Sequence, residues 1–182
     1  MARREEIYFR MMSFVHETLY GWFRDPYKAL RAAGLRTGQR VLEVGCGPGF
    51  FTVPAGVVVG SEGSVLAIDV NPLAVEHVQA KIDAAGVDNV RVVQADASST
   101  GLPDGSFDLA YVFGVAHPIG DMGGIWREVC RLLAPDGDLA VEGRLQPPAS
   151  LFLQTHRQGQ IVRYVSRPRP ASPLPAEGAS EA

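Results

Sequence analysis

The residues best placed to do chemistry lie in the stretch VLEVGCGPG, residues 41–49, where an apolar run meets Glu43 and then glycine at 45, 47 and 49. Glycine at every second position leaves main-chain N–H groups bare where a buried strand turns into a helix, so a ligand can approach the backbone closely. Such a turn is a cofactor cradle. A dinucleotide site asks for G-x-G-x-x-G and an acid about 20 residues further on. Here Gly45-Cys46-Gly47-Pro48-Gly49 brings the third glycine one residue early, and Asp69 closes the segment SVLAID. An ionised carboxylate is acceptor-only with two oxygens to offer, so Asp69 suits the ribose of more than one cofactor class. The glycines alone leave that class open. Glu43 is costly at an apolar strand end unless it is paired, which marks it as functional.

The motifs that follow come in a fixed order: Asp69 after a second strand, QADA at 94–97 after a third, FDLAYV at 107–112, and LLAPDGDLAV at 132–141. With these in register from about Arg40 to Arg144, the chain resembles the class I S-adenosylmethionine-dependent methyltransferases of the small-molecule type. The resemblance implies an α/β, Rossmann-like open sheet, mostly parallel, with helices on both faces, and S-adenosyl-L-methionine as cofactor. It implies cofactor contacts from Glu43, Gly45, Cys46, Gly47 and Gly49, with Glu43 near the methionine moiety. Asp69 is implied on both ribose hydroxyls, Val70 or Asn71 beside the base, Asp96 at the adenine amino group and the Ala97 backbone at the ring edge. Phe113 or Tyr20 is suited to face the sulfonium. Asp108 reads as structural.

His117, in FGVAHP, stands where many small-molecule members carry a histidine, as a catalytic or substrate-contacting residue or as a plain wall residue. His16 and Tyr20 are further acceptor-side candidates, and either histidine can titrate near neutral pH. Methyl transfer from a sulfonium is an in-line displacement in which the cofactor supplies the activated carbon. The protein's task is then alignment and the exclusion of water. The implied acceptor is a small, fairly apolar molecule taking the methyl on O, N, S or C, with quinone and lipid methyltransferases the nearest subclass. The alternative is a non-catalytic S-adenosylmethionine-binding regulatory or partner subunit. No Asn-Pro-Pro-Tyr motif for nucleobase amines is present, and arsenite chemistry would need more cysteines than the two here.

These residues need a scaffold. Ile7, Met11, Phe14, Val15, Thr18, Leu19 and Trp22 share one helical stripe, which serves as a lid over the acceptor or simply packs on the sheet. A second helix is expected from Asp25-Pro26, cap and first position, to about Gly34. Beyond it the pattern predicts strands at 40–45, 64–69, 89–94, 107–113 and 138–143, with helices near 50–59, 72–85 and 120–133. Such alternation implies right-handed crossovers and a parallel sheet. LFLQTHR-QGQ-IVRYVS favours a hairpin over a short helix plus one strand, giving six or seven strands and a shortened C-terminal region. The expected division is a helical lid over residues 1–36, a core over 37–166 and a proline-rich, disordered tail over 167–182.

Charge and composition bound the rest. With 182 residues, 46% hydrophobic and 20% charged, one globular domain is expected. A net charge of -3 gives no basic footprint for nucleic acid. Two cysteines in separate motifs suit a reduced, cytoplasmic setting, and no Cys/His spacing suits zinc, so no metal is expected. The opening segment is too polar for a signal peptide, and no apolar run is long enough to span a membrane. The first helix permits peripheral membrane contact, and the chain is expected to be a monomer or homodimer.

Overall fold

The computed structural model describes residues 25–114 and 120–167. The stripe at 5–23 with His16 and Tyr20, the residue His117, and the tail from 168 lie outside the described residues.

Helix α1 (Pro26–Ala33) begins where sequence chemistry puts it. The Asp25 carboxylate accepts the N–H groups of Tyr27 and Lys28 at 2.9 and 3.3 Å, and Pro26 takes the first position. Gly34, at φ 93°, ends it in the left-handed region. The chain then alternates through β1 (Arg40–Val44), α2 (Thr52–Val59), β2 (Ser64–Asp69), α3 (Pro72–Ala85), β3 (Val90–Gln94), β4 (Phe107–Val112), α4 (Met122–Leu132) and β5 (Leu133–Glu142). It closes with β6 (Phe152–Gln158) and β7 (Ile161–Ser166). Pro54 sits in the first turn of α2, where no intrahelical donor is needed.

The seven strands run in the order β3-β2-β1-β4-β5-β7-β6. The first five are parallel, β7 pairs antiparallel with β5, and β6 with β7. Chain order runs outward one way from β1 to β3 and the other way from β4, so the switch point falls between β1 and β4. Open α/β sheets bind ligands outside the carboxyl ends of the strands at such a point. Side chains alternate along each strand, as the pleat requires. Val41, Val65, Leu109 and Tyr111 bury against α1, α2 and α3, while Leu42, Ile68, Ala110 and Val141 bury with Ile125, Trp126 and Val129 of α4.

Two outcomes refine the expectations. The fifth strand starts at Leu133 and not at 138, because Leu133 pairs with Phe107 and an irregularity follows before Asp138 pairs with Leu109. Gly137 makes that compression possible: a Cβ there would stand 3.1 Å from the Phe107 carbonyl oxygen and 3.0 Å from that of Ala134. The hairpin forms, turning at Gly159 with φ 60°, and β5 reaches it through residues 143–151 without a helix, so the sheet has seven strands.

Candidate functional site

The glycine turn leaves the carboxyl end of β1 with φ 74° at Gly45, 49° at Gly47 and 78° at Gly49, all left-handed and easily reached only without a Cβ. It stays tied to the sheet, since Gly45 and Cys46 both donate to the Ile68 carbonyl, at 2.9 and 3.1 Å. The three glycines do different work. A Cβ on Gly47 would meet nothing within 4 Å, so bare main chain faces open space there. A Cβ on Gly49 would stand 2.7 Å from Val78 Cγ2, so Gly49 lets the turn pack on α3. Asp69 anchors the arrangement: its Oδ2 accepts the Gly47 N–H at 2.8 Å and its Oδ1 the Asn71 N–H at 2.9 Å.

In front of the turn lies a cavity of about 190 Å³. Val44, Gly45, Ile68, Asp69 and Val70 supply one side, the loop Ala95, Asp96, Ala97 and Ser98 another, and Gly120, Asp121 and Ile125 at the start of α4 the third. Five residues expected from the sequence therefore meet here: Gly45, Asp69, Val70, Asp96 and Ala97. Val70 is 62% exposed, an apolar side chain left at the rim. Asn71 does something else, since its side-chain oxygen accepts the Leu73 N–H and caps α3. Asp96 Oδ1 accepts from the Ser98 N–H at 2.8 Å and the Ser98 hydroxyl at 2.7 Å, which lowers its pKa.

The sequence reading missed Val44, Ile68, Ala95, Ser98, Gly120, Asp121 and Ile125 as cavity residues. The one available signal was Asp121 at the start of the helix predicted near 120–133, on the carboxyl side of the sheet. The rest are apolar or small residues whose role comes from position alone. A wider hollow of about 480 Å³, lined by Asp104, Cys130, Leu133 and Arg167 among others, includes no glycine-turn residue. Asp108 bonds the Arg40 N–H and guanidinium at the amino end of β1, away from the cavity.

Glu43 lies behind the turn on the sheet face that carries α2. It is 3% exposed, and its Oε2, the Thr52 hydroxyl and the Tyr111 hydroxyl have no hydrogen-bond partner among the described residues. Burial pushes the Glu43 carboxyl up to about 7; the Thr52 and Tyr111 hydroxyls stand close enough to draw it back without making a well-aligned hydrogen bond, and the Asp69 charge adds to the rise. Burial, then the Glu43 and Asp69 charges, raise the Cys46 thiol, which makes it a packing group and not a nucleophile. Phe113 is buried with its ring centroid 5.2 Å from that of Phe51 and 4.9 Å from that of Tyr111.

Sequence and structure comparisons agree with this geometry. Residues 41–137, more than half of the chain, match the family model described as a methyltransferase domain. The chain belongs to that family. It is 34% identical over 128 residues to a ubiquinone/menaquinone biosynthesis C-methyltransferase of a Marinomonas species, covering 69% of this chain and 51% of that one. It is 33% identical over 114 residues to nocamycin O-methyltransferase of Saccharothrix syringae, covering 63% and 41%. The chain thus spans about half or less of these two curated relatives. A crystal structure of a SAM dependent methyltransferase from Aquifex aeolicus superposes with a TM-score of 0.64 at 25% identity, over 78% of this chain and 88% of that one.

The residues present fit S-adenosylmethionine, the cofactor of this family. Open main chain at Gly47 admits a ligand, and each Asp69 oxygen keeps acceptor capacity after its one backbone bond. The unpartnered Glu43 oxygen suits a cation in reach of the turn. Among the described residues no group of His, Cys, Asp and Glu could hold a metal, and no helix is long and apolar enough to cross a membrane.

Proposed function

We propose that this chain transfers the methyl group of S-adenosylmethionine to a small, fairly apolar acceptor in the cytoplasm. The observation that carries the reading is the cavity at the carboxyl ends of β1 and β2, where the open Gly47 turn, Asp69 and Asp96 converge. Relatives named for O-methylation of nocamycin and for C-methylation in quinone biosynthesis support a small acceptor. Cys46 is buried and in no disulfide, which supports a reducing compartment.

In this reading Asp69 accepts both ribose hydroxyls, Val70 covers one face of adenine, Asp96 accepts from its amino group and the Ala97 backbone reads the ring edge. The Gly45, Cys46 and Gly47 backbone flanks the methionine end, with Glu43 supplying negative charge behind it. The bound cofactor brings an activated methyl carbon for in-line displacement. The chain holds it still, keeps water out and presents the acceptor. His117, His16 and Tyr20, together with residues 1–36 as a lid, form the acceptor side, ahead of a core over 37–166 and a tail over 167–182.

Calorimetry with S-adenosylhomocysteine should show saturable binding, and NADH should give no heat. Asp69→Asn should weaken product binding by about 1 to 3 kcal/mol through lost charge-assisted hydrogen bonds. Labelled-methyl transfer to a panel of quinones and phenols then tests turnover. NADH binding without product binding overturns the cofactor, and product binding without transfer to any acceptor supports the non-catalytic alternative.

A further inference from the structure

We propose that Glu128 is the positioning residue of the cofactor's base subsite, holding the loop after β3 at the height where Asp96 and Ala97 meet adenine. The proposal rests on the S-adenosylmethionine reading above. Glu128 does not line the cavity; it lies on α4 and acts through Thr100.

The loop from Ala95 to Leu102 is fastened at both ends. At its start the Ala95 N–H donates to the Asp69 carbonyl at 3.0 Å, tying it to β2. At its end Glu128 Oε1 accepts the Thr100 N–H at 2.9 Å and the Thr100 hydroxyl at 2.6 Å, and that hydroxyl oxygen accepts the Leu102 N–H at 3.2 Å. Arg131 holds the carboxylate from the other side, with Nη2 2.7 Å from Oε1 and Nε 2.8 Å from Oε2, and itself pairs with Asp104. Between the two fastenings sits the Asp96 turn, closed by Ser98 and Ser99 N–H groups.

A second contact presses the loop on the same helix. A Cβ at Gly124 would stand 2.9 Å from Ser98 Cβ and 2.5 Å from Asp121 Oδ2. Glycine inside a helix is unfavourable relative to alanine, and here its absence of a side chain is what lets α4 and the loop close up. Loop and helix thus form one wall of the cavity. Its height is set by Glu128, because charge-assisted hydrogen bonds are the strongest contacts in it. Arg131 first, and then Thr100, hold the Glu128 carboxyl down to about 2, so the fastening stays charged at any physiological pH. A base read by Asp96 therefore depends on a residue that never touches it.

The test uses the full chain and two variants, Glu128→Gln and Thr100→Val, the second of which keeps the Glu128–Arg131 pair. Calorimetry measures S-adenosylhomocysteine and S-inosylhomocysteine, which carries a carbonyl oxygen in place of the adenine amino group, with thermal unfolding alongside. The unaltered chain should prefer the adenosyl compound. Each variant should lose about tenfold in adenosyl affinity, the worth of one good hydrogen bond, while inosyl affinity changes by less than about twofold. A purely structural role predicts equal weakening of both ligands. Equal weakening in both variants, or none in either, overturns the proposal. If the unaltered chain binds neither compound, the cofactor reading falls and this inference with it, a result distinct from equal weakening.

Discussion

Two buried glutamates, Glu43 and Glu128, are pushed in opposite directions by their surroundings. Glu43, 3% exposed, titrates near 7, and Glu128, 9% exposed, near 2. Glu43 stands on a central strand whose neighbours are apolar or offer hydroxyls without well-aligned bonds, so burial dominates. Glu128 stands on a helix with Arg131 one turn on and the Thr100 backbone opposite, so both of its oxygens are used. Native structures satisfy nearly all buried polar groups. The region around Glu128 meets that rule from its own sequence and is scaffold. The region around Glu43, Thr52 and Tyr111 does not, and such local exceptions concentrate where a ligand completes the site.

The largest expected effect breaks the unsatisfied region. Gly47→Val should drop S-adenosylhomocysteine binding below detection by calorimetry, because the side chain enters the open space in front of the turn. The fold should survive it, with a stability loss of about 1 to 2 kcal/mol for a valine at positive φ. Unchanged affinity would mean that the open side of the turn is not where the ligand sits. Glu128→Ala attacks the satisfied region. It should cost about 3 kcal/mol in urea denaturation, the low end for breaking a buried pair because Arg131 keeps Asp104 and is 31% exposed. A loss below about 1 kcal/mol would erase the contrast between the two glutamates.

Much of this was legible in the sequence because local chemistry and the fold agree. Asp25-Pro26 and Asn71-Pro72 announce their helices, and each is followed by a glycine in left-handed conformation, at 34 and at 86. The strand SVLAID and the helix at 72–85 fall where periodicity places them. What stayed hidden depends on partners far along the chain. Nothing local tells Gly47, which faces open space, from Gly49, which makes room for Val78. Asn71, which the resemblance implied beside the base, spends its side-chain oxygen on a cap. Leu133 pairs with Phe107, 26 residues away, and Gly137 leaves room for the intervening residues to fold up beside the ladder. Thr100 and Glu128 carried no motif, and their bond spans 28 residues.

The smallest of the three effects sharpens the comparison through pH. Unfolded, Glu43 titrates near the ordinary 4.5; folded, near 7. Below 4.5 both states hold the proton and burial has no charge to penalise. Between the two values the folded chain keeps a proton that the unfolded chain has lost, so stability falls as pH rises, and above 7 the penalty is complete and constant. Glu43→Gln has no proton to lose, so the difference in stability between the variant and the natural chain should grow by about 2 kcal/mol from pH 5 to pH 7 and then level off. Urea midpoints at half-unit pH steps read it directly. Glu128 contributes no slope in that window, since its stabilisation is lost only as pH falls from 4.5 through about 2. A pH-independent gap between the Glu43→Gln variant and the natural chain would show that the Glu43 carboxylate already finds a partner in the folded chain, and the distinction between scaffold and unfinished site would then fail at its one buried carboxylate.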